Sequence, residues 1–390
     1  MRGTTVLLAA LPAALAAPAV QQRSEPAPLN LGDGTTGKYI VKFKEGTEVS
    51  AFSSALGILN VEPDYVYNAL FRGFASAMDE STLEAVRNHP DVEYVEEDGI
   101  SRAAGFIDQQ NPVWGLARIS SRTAGKKVYS YDERAGEGTC AYVIDTGVDE
   151  NHREFEGRAK QLKSWIKGSN RDDHGHGTHV SGSIASKTYG VAKKTKVFGL
   201  KGLGSNASGP DSGIIDAINF VAEDAPKQNC PKGVVVNLSL TADRRLQSMN
   251  DAVAALVKRG YFVAAAAGNF DRDASQESPA SEPSICTVGG TQSNDGRYSG
   301  SNHGKFIDIS APAVQVTSTM PGGGTGGMTG TSMASPHIAG LAAYLASVED
   351  IKASDACDRI VELATKGAIK GNMPPNTVNN IAFNGNPNDK

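Results

Sequence analysis

Apolar runs and amphipathic stretches alternate along the chain from about residue 139 onward. Runs that are apolar throughout predict buried strands, and they lie at residues 139–145, 196–200, 234–239, 262–267 and 286–290. Helical spacing of apolar residues predicts helices between them, at residues 176–185, 211–225, 249–259 and 332–346. Continuous apolar strands that alternate with helices are typical of a parallel sheet covered on both faces. We therefore predict an α/β fold for this part of the chain.

The segment between about residues 25 and 104 has a different pattern. Apolar and polar residues alternate at 38–44 and again, with a bend, at 65–78, which predicts strands. Residues 78–98 then read as a capped helix followed by another strand. This order predicts a separate small α+β unit of the ferredoxin-like type.

The first residues predict a secretory signal peptide. Arg2 precedes an apolar run at residues 6–15, and small residues follow as far as Ala19. The predicted signal covers residues 1–16, with cleavage between 16 and 19. The run is too short to cross a bilayer, and no later segment holds 18 uninterrupted apolar residues. We expect a secreted, extracellular protein with no membrane as its partner.

Charge and cysteine content narrow the picture further. The formal net charge of the 390 residues is −5, and no large basic cluster is present, so nucleic acid is not expected as a partner. The chain is long enough for a large core. Four cysteines in an oxidising compartment allow three pairings, and their spacing leaves all three open.

Three glycine-rich motifs carry the candidate chemistry. They are VIDTG at 143–147, HGHGTHVSG at 174–182 and GTSMASPHIAG at 330–340, which contain Asp145, His176 and Ser332 respectively. A serine hydroxyl becomes a nucleophile when an imidazole takes its proton and a carboxylate orients that imidazole. Ser332 also precedes an apolar helix, and the free N–H groups of a helix start suit a developing oxyanion. The three motifs together predict a serine hydrolase.

A fourth motif, AAAAGN at 264–269, ends an apolar strand at Asn269 and offers a side-chain oxyanion donor. Taken singly, such a serine, aspartate or asparagine is explained as well by a turn or a helix cap. His179 and His303 are predicted to be structural. The combination of four motifs in this order favours catalysis.

The chain resembles the subtilase family, and within it the secreted proteinase K-like branch of fungi. The resemblance covers about residues 112–384 and is carried by WGLARIS at 114–120, FEGRA at 155–159, TYGVAKKT at 188–195, NCPKGVV at 229–235 and SPASEPS at 278–284. It implies a three-layer fold with a mainly parallel, seven-stranded sheet. It also implies a serine endopeptidase with Asp145, His176 and Ser332 as the triad and Asn269 as the oxyanion residue.

The same resemblance assigns the cysteines and the N-terminal unit. It pairs Cys140 with Cys230 and Cys286 with Cys357. It makes residues 17–104 a propeptide with an inhibitor I9-like part at about 38–102, and residues 105–390 the catalytic domain. The propeptide is then an intramolecular inhibitor that the zymogen removes by autocleavage within residues 101–105.

Proteinase K-like enzymes hold a structural calcium ion through one carboxylate and two backbone carbonyls. The matching residues here are Asp308, Pro283 and Ile285. Carboxylate and carbonyl oxygens are ligands that Ca²⁺ takes readily. A second site in relatives needs an acid where this chain has Ala368, so we predict that it is absent.

The resemblance also assigns a substrate cleft. One wall is the family's SLGG strand, which here reads Ser239, Leu240, Thr241 and Ala242. The β-branched Thr241 adds bulk, so large aromatic side chains should fit the first pocket less well. The other substrate-binding residues are Ala207, Ser208, Gly209, Ala266, Ala267 and Gly268.

Glu277 stands where relatives often carry a tyrosine at the base of the first pocket. A partly desolvated carboxylate there favours a lysine or arginine side chain, whereas a solvent-facing Glu277 has no such effect; both interpretations stay open. Autocleavage after Arg102 supports the first, and autocleavage after Ala103 or Ala104 the second.

The function expected is broad extracellular degradation of proteins and peptides by a monomer. The alternatives are a selective processing protease and a catalytically silent binding protein.

Overall fold

A computed structural model describes residues 25–31, 37–99 and 105–389 of the chain. The described residues form two compact units, which we call the N-terminal unit (residues 25–99) and the C-terminal unit (residues 105–389). The predicted signal peptide and residues 101–104 of the predicted processing junction lie outside the described residues.

The N-terminal unit is a five-stranded sheet with two helices, in the strand order β1-β5-β2-β4-β3. Its elements are β1 (Leu29–Asn30), β2 (Lys38–Phe43), α1 (Val49–Leu56), β3 (Tyr65–Tyr67), β4 (Gly73–Ala77), α2 (Glu80–Arg87) and β5 (Val92–Glu97). Helix α2 begins after Asp79, whose carboxylate accepts a hydrogen bond from the Thr82 N–H at 2.8 Å. Strand β2 pairs antiparallel with β4 and β5, and Val41, Phe43 and Phe74 are buried in the core. The pattern of strands and capped helix predicted β2, β3, β4, α2 and β5, but not the two-residue strand β1 or the serine-rich helix α1.

The C-terminal unit alternates strands and helices. Its elements are β6 (Phe106–Gln110), α3 (Trp114–Ile119), β7 (Val128–Asp132), β8 (Thr139–Asp145), β9 (Ala159–Ser164), α4 (His176–Ala185), β10 (Lys196–Lys201), α5 (Asp211–Asp224), β11 (Gly233–Leu238), α6 (Gln247–Lys258), β12 (Phe262–Ala266), β13 (Cys286–Thr291), β14 (Ile309–Pro312), β15 (Val316–Met320), β16 (Gly324–Met328), α7 (Thr331–Val348), α8 (Ala356–Leu363), β17 (Thr365–Lys366) and β18 (Asn380–Ile381). Strands β6 and β7, and likewise β15 and β16, form antiparallel pairs outside the main sheet.

The main sheet has the strand order β17-β18-β14-β13-β12-β11-β8-β10-β9. Every neighbouring pair from β14 to β9 is parallel. These seven strands are the parallel sheet that the resemblance implies, and the two-residue strands β18 and β17 extend its β14 edge. Apolar runs predicted the central strands, but not β9, whose sequence AKQLKS is largely polar, or the four-residue β14.

Two hydrophobic clusters occupy the two faces of this sheet. Along β8, Val143 belongs to one cluster and Ile144 to the other, because successive side chains of a strand point to opposite faces. The Val143 cluster includes apolar residues of α4 and α7, and the Ile144 cluster includes those of α5 and α6. The unit therefore has three layers, with helices on both faces of the sheet.

The disulfides pair as the resemblance implies. Cys140 in β8 is bonded to Cys230 in the segment before β11, and Cys286 in β13 is bonded to Cys357 in α8.

No helix of the described residues combines the length and the apolar character that a membrane span requires.

Candidate active site

The C-terminal ends of the parallel strands bring the candidate catalytic residues together. Asp145 is the last residue of β8, His176 is the first of α4, and Ser332 is the second of α7. The imidazole Nδ1 of His176 lies 2.7 Å from Asp145 Oδ1, and His176 and Ser332 line the same cleft. This edge is where open α/β sheets bind ligands.

Asp145 fixes the orientation and the charge preference of His176. The carboxylate is fully buried, and its Oδ1 also accepts a hydrogen bond from the Thr146 N–H at 2.7 Å. Because Nδ1 donates to this carboxylate, Nε2 is the nitrogen left to accept a proton. Burial lowers the pKa of His176, but attraction to Asp145 and the hydrogen bond outweigh it, so the pKa lies above the ordinary 6.5. The protonated imidazole is thus stabilised.

Ser239 holds the start of α7 in place. Its hydroxyl donates to the backbone carbonyl of Ser332 at 2.8 Å, and the Ser332 hydroxyl donates to the Ser239 carbonyl at 3.1 Å. Gly330, just before the helix, has a φ of 152°, which favours glycine. Ser332 therefore sits in the first turn of α7, where backbone N–H groups lack partners within the helix.

The side chain of Asn269 is oriented by Thr331. Its Oδ1 accepts from the Thr331 N–H at 2.8 Å and from the Thr331 hydroxyl at 3.1 Å. Since Oδ1 is used in this way, the amide Nδ2 is the group that can donate to a ligand. Sequence reasoning missed the role of Thr331, although it lies within the GTSMAS motif next to Ser332.

Asp172 is a second residue that sequence reasoning missed. Its buried carboxylate accepts from the Gly175 N–H at 2.7 Å, the Thr146 hydroxyl at 2.8 Å and the Thr178 N–H at 2.8 Å. It thereby ties the end of β8 to the start of α4. The fully buried Lys201 supports the same turn, with Nζ 2.7 Å from the Thr146 carbonyl. The only sequence signal was the acidic pair that precedes the HGH motif.

A cleft of about 310 Å³ runs past His176 and Ser332. Six of the predicted substrate-binding residues line it, namely Ala207, Ser208, Gly209, Ser239, Leu240 and Thr241. The other uncharged residues predicted to bind substrate, Ala266, Ala267 and Gly268, do not line this cleft. Ala266 and Ala267 are buried at the end of β12, and the Gly268 N–H donates to the Thr331 hydroxyl at 3.1 Å.

Glu277 is fully buried and does not face solvent. Its Oε1 accepts hydrogen bonds from Arg272 Nε and from Asn302 Nδ2, both at 2.8 Å. The carboxylate is therefore already paired with a cation of the same chain.

Of the predicted calcium ligands, Asp308 lies in surroundings that favour a bound cation. Asp308 Oδ2 accepts from the Thr287 N–H at 2.8 Å, while burial and the nearby Asp358 raise the pKa of Asp308 to about 6. A cation beside this carboxylate would offset the cost of burying its charge. In the described part of the chain, the acid and thiol groups with ligand spacing are Asp308, Cys286 and Cys357. Because both sulfurs are in a disulfide, any metal here must use oxygen donors.

The chain matches the model of the subtilase family over residues 136–380. This protein belongs to the subtilase family. The N-terminal part of this subtilase matches the peptidase inhibitor I9 family over residues 38–104, so it carries a propeptide of the inhibitor type.

Relatives extend over almost the whole length of the subtilase. It is 48% identical to the cuticle-degrading protease of Metarhizium anisopliae, over 98% of this chain and 99% of that protein. It is 49% identical to proteinase R of Parengyodontium album, over 97% of this chain and 98% of that protein. The crystal structure of a cold adapted subtilisin-like serine proteinase superimposes with a TM-score of 0.64 at 36% identity, covering 70% of this chain and 98% of the other. This subtilase is a serine protease.

Proposed function

We propose that this subtilase is a secreted endopeptidase of broad specificity that is made as a zymogen and degrades extracellular proteins. The observation that carries the proposal is the hydrogen bond between His176 and Asp145 beside a cleft that also contains Ser332. No substitution damages the four motifs, which argues against a silent binding protein.

In the proposed reaction, the Ser332 hydroxyl turns from the Ser239 carbonyl and attacks the scissile carbonyl carbon. His176 Nε2 takes the hydroxyl proton and then gives it to the leaving amine, which departs as the acyl-enzyme forms. A water molecule attacks this ester by the same route and releases the second product. Asp145 orients the imidazole through the hydrogen bond to Nδ1 and stabilises the imidazolium.

The tetrahedral intermediates carry a negative charge on the former carbonyl oxygen. The Asn269 amide Nδ2 and the Ser332 backbone N–H are the proposed donors to it. Thr331 supports this role because it holds the other end of the Asn269 amide at two points. A fixed donor needs no reorganisation when the charge develops.

The substrate is proposed to lie extended between residues 207–209 and residues 239–241, which line the cleft. Backbone pairing with such segments binds peptides largely irrespective of sequence. This supports protein and peptide substrates in general. The monomer is proposed as the active form, with no nucleic acid or membrane as partner.

The N-terminal unit is proposed to act as an intramolecular inhibitor until the chain is cut within residues 101–105. The match to the inhibitor I9 family supports this role. The apolar run behind Arg2 supports export of the zymogen.

One structural calcium ion is proposed to bind at Asp308 with the backbone carbonyls of Pro283 and Ile285. The oxygen donors and the raised pKa of Asp308 support it. The ion takes no part in the reaction. Because Ala368 offers no ligand, a second site is not proposed.

The first test compares the secreted wild type with Ser332→Ala by intact mass and N-terminal sequencing. We expect wild type to begin near residues 103–105 and the variant to keep the segment from about residue 25. Retention of that segment by both proteins, or its equal loss from both, contradicts self-processing. Digestion of casein into many fragments rather than few supports broad specificity.

A further inference from the structure

We propose that Glu277 lies at the base of the first pocket of this protease and that Arg272 is a specificity-determining residue, because its ion pair with Glu277 cancels the charge there and so directs cleavage to uncharged side chains. The inference rests on the proposed function, because it concerns the substrate selectivity of the same cleft. Arg272 acts through Glu277 and is therefore a positioning residue.

The backbone around Glu277 is joined to the cleft wall. The carbonyl of Ser278, the next residue, accepts from the Ala242 N–H at 2.8 Å, and Ala242 lines the cleft beside Thr241. On its other side, Glu277 Oε2 lies against Gly268, where an added Cβ would come within 2.4 Å of that oxygen. Gly268 directly precedes Asn269. Glu277 thus lies between the cleft wall and the segment that leads to the proposed oxyanion donor.

The two carboxylate oxygens of Glu277 differ in their hydrogen-bond partners. Oε1 accepts from both Arg272 and Asn302, whereas Oε2 is buried without a hydrogen-bond partner among the described residues. A buried carboxylate oxygen without donors strongly favours a nearby cation. In the described part of the chain, the cation within ion-pair distance of Glu277 is Arg272, whose Nε lies 2.8 Å from Oε1.

Arg272 reaches Glu277 from the solvent side. Its side chain is 35% exposed, and the guanidinium carbon lies 4.6 Å from the centre of the Phe270 ring. This stacking holds the guanidinium in place. A substrate lysine or arginine would find the negative charge of Glu277 already neutralised by Arg272. It would also be repelled by the positive charge of the Arg272 guanidinium, so basic substrates are disfavoured.

The test measures kcat/KM for two peptide p-nitroanilides that differ only in leucine or lysine before the scissile bond. We expect wild type to prefer leucine, which is uncharged and smaller than the aromatic side chains that Thr241 disfavours. Arg272→Ala leaves the Glu277 carboxylate without its cation, so the lysine-to-leucine ratio should rise by roughly tenfold or more. Arg272→Lys should keep the wild-type ratio, and the double variant Arg272→Ala with Glu277→Gln should lose the gain.

Arg359→Ala is the matched control, because Arg359 is a similarly exposed arginine in an ion pair with Glu349 and Glu362. It should leave the ratio unchanged. A wild type that prefers lysine, or a ratio that Arg272→Ala does not alter, overturns the inference while leaving the protease function intact. Absence of hydrolysis of every peptide and of casein by wild type instead contradicts the proposed function.

Should Arg272→Ala fail to fold, Glu277→Gln carries the test. It leaves Arg272 unpaired at the pocket base, so cleavage after glutamate should increase relative to cleavage after lysine. An unchanged glutamate-to-lysine ratio rejects the role of the pair.

Discussion

At the scale of single residues, the buried carboxylate of Asp145 determines the chemistry of the candidate site. Its Oδ1 accepts from His176 and from the Thr146 N–H, while Oδ2 is buried with no partner among the described residues. The charge of Asp145 is therefore poorly compensated until His176 becomes protonated. This explains why the pKa of His176 is raised although burial alone would lower it.

This arrangement predicts the pH dependence of activity. Neutral His176 is the general base, so kcat/KM should rise as the pH passes upward through a pKa above 6.5. Asp145→Asn removes the attraction and leaves the effect of burial, so the rise should move to lower pH while kcat falls by about 10⁴-fold. A pH–rate profile of both proteins checks this, and a rise at unchanged pH in the variant contradicts the assigned cause.

Asn269 provides a second residue-scale prediction. Asn269→Ala removes the proposed oxyanion donor, so kcat should fall by about 10²- to 10³-fold with KM nearly unchanged. Steady-state kinetics on a peptide p-nitroanilide measure both constants. Asn294→Ala is the control, because Asn294 is an exposed loop residue that should leave kcat unaltered. A rise in KM at constant kcat would assign Asn269 to substrate binding instead.

At the scale of elements, the two Asn-X-Ser sequons lie in different settings. Asn206 is exposed in the loop before α5. The two residues that follow it, Ala207 and Ser208, line the cleft. Asn237 lies in β11 and is 1% exposed; its Nδ2 donates to the Ser239 hydroxyl at 2.9 Å, and its Oδ1 accepts from the Ser335 hydroxyl at 2.7 Å. The folded sheet has no room for a glycan at Asn237.

We therefore expect protein secreted from a eukaryotic host to carry an N-linked glycan at Asn206 alone. Digestion with an N-glycosidase followed by intact-mass measurement checks the number of glycans, and Asn206→Gln should abolish the mass change. Removal of the glycan should increase cleavage of casein more than cleavage of a short peptide, because the sugar narrows access to the cleft. A glycan that persists in Asn206→Gln contradicts this assignment.

At the scale of the whole molecule, stability should depend on calcium. A cation that binds only the folded state stabilises it in proportion to its affinity and concentration. Chelation should lower the Tm of the mature enzyme, first inactivated with a serine-directed sulfonyl fluoride, by roughly 5 °C. Asp308→Asn should melt at the same temperature with and without chelator, whereas the exposed Asp355→Asn should behave as wild type. Equal sensitivity of Asp308→Asn to chelation excludes Asp308 as a ligand.

The sequence by itself determined the central strands, the main helices between them and the candidate catalytic residues. An apolar run predicted β8 and the helical spacing of apolar residues predicted α4, both at their observed bounds. Such patterns are visible in the sequence because the side chains that an element buries recur at the period of that element. Glycine-rich contexts singled out Asp145, His176 and Ser332, because tight turns at a reactive residue constrain its immediate neighbours. The pairing of the four cysteines required the resemblance, since spacing allows three pairings.

The tertiary structure alone decided which polar groups meet. The bonds between Ser239 and Ser332 join positions 93 residues apart, and those of Asp172 join the end of β8 to the start of α4. Glu277 and Arg272 are near in sequence, yet no local pattern indicates that Glu277 is fully buried or that the two pair. Periodicity reports which face of an element is apolar. Which donor faces which acceptor depends on how strands and loops far apart in the chain come together.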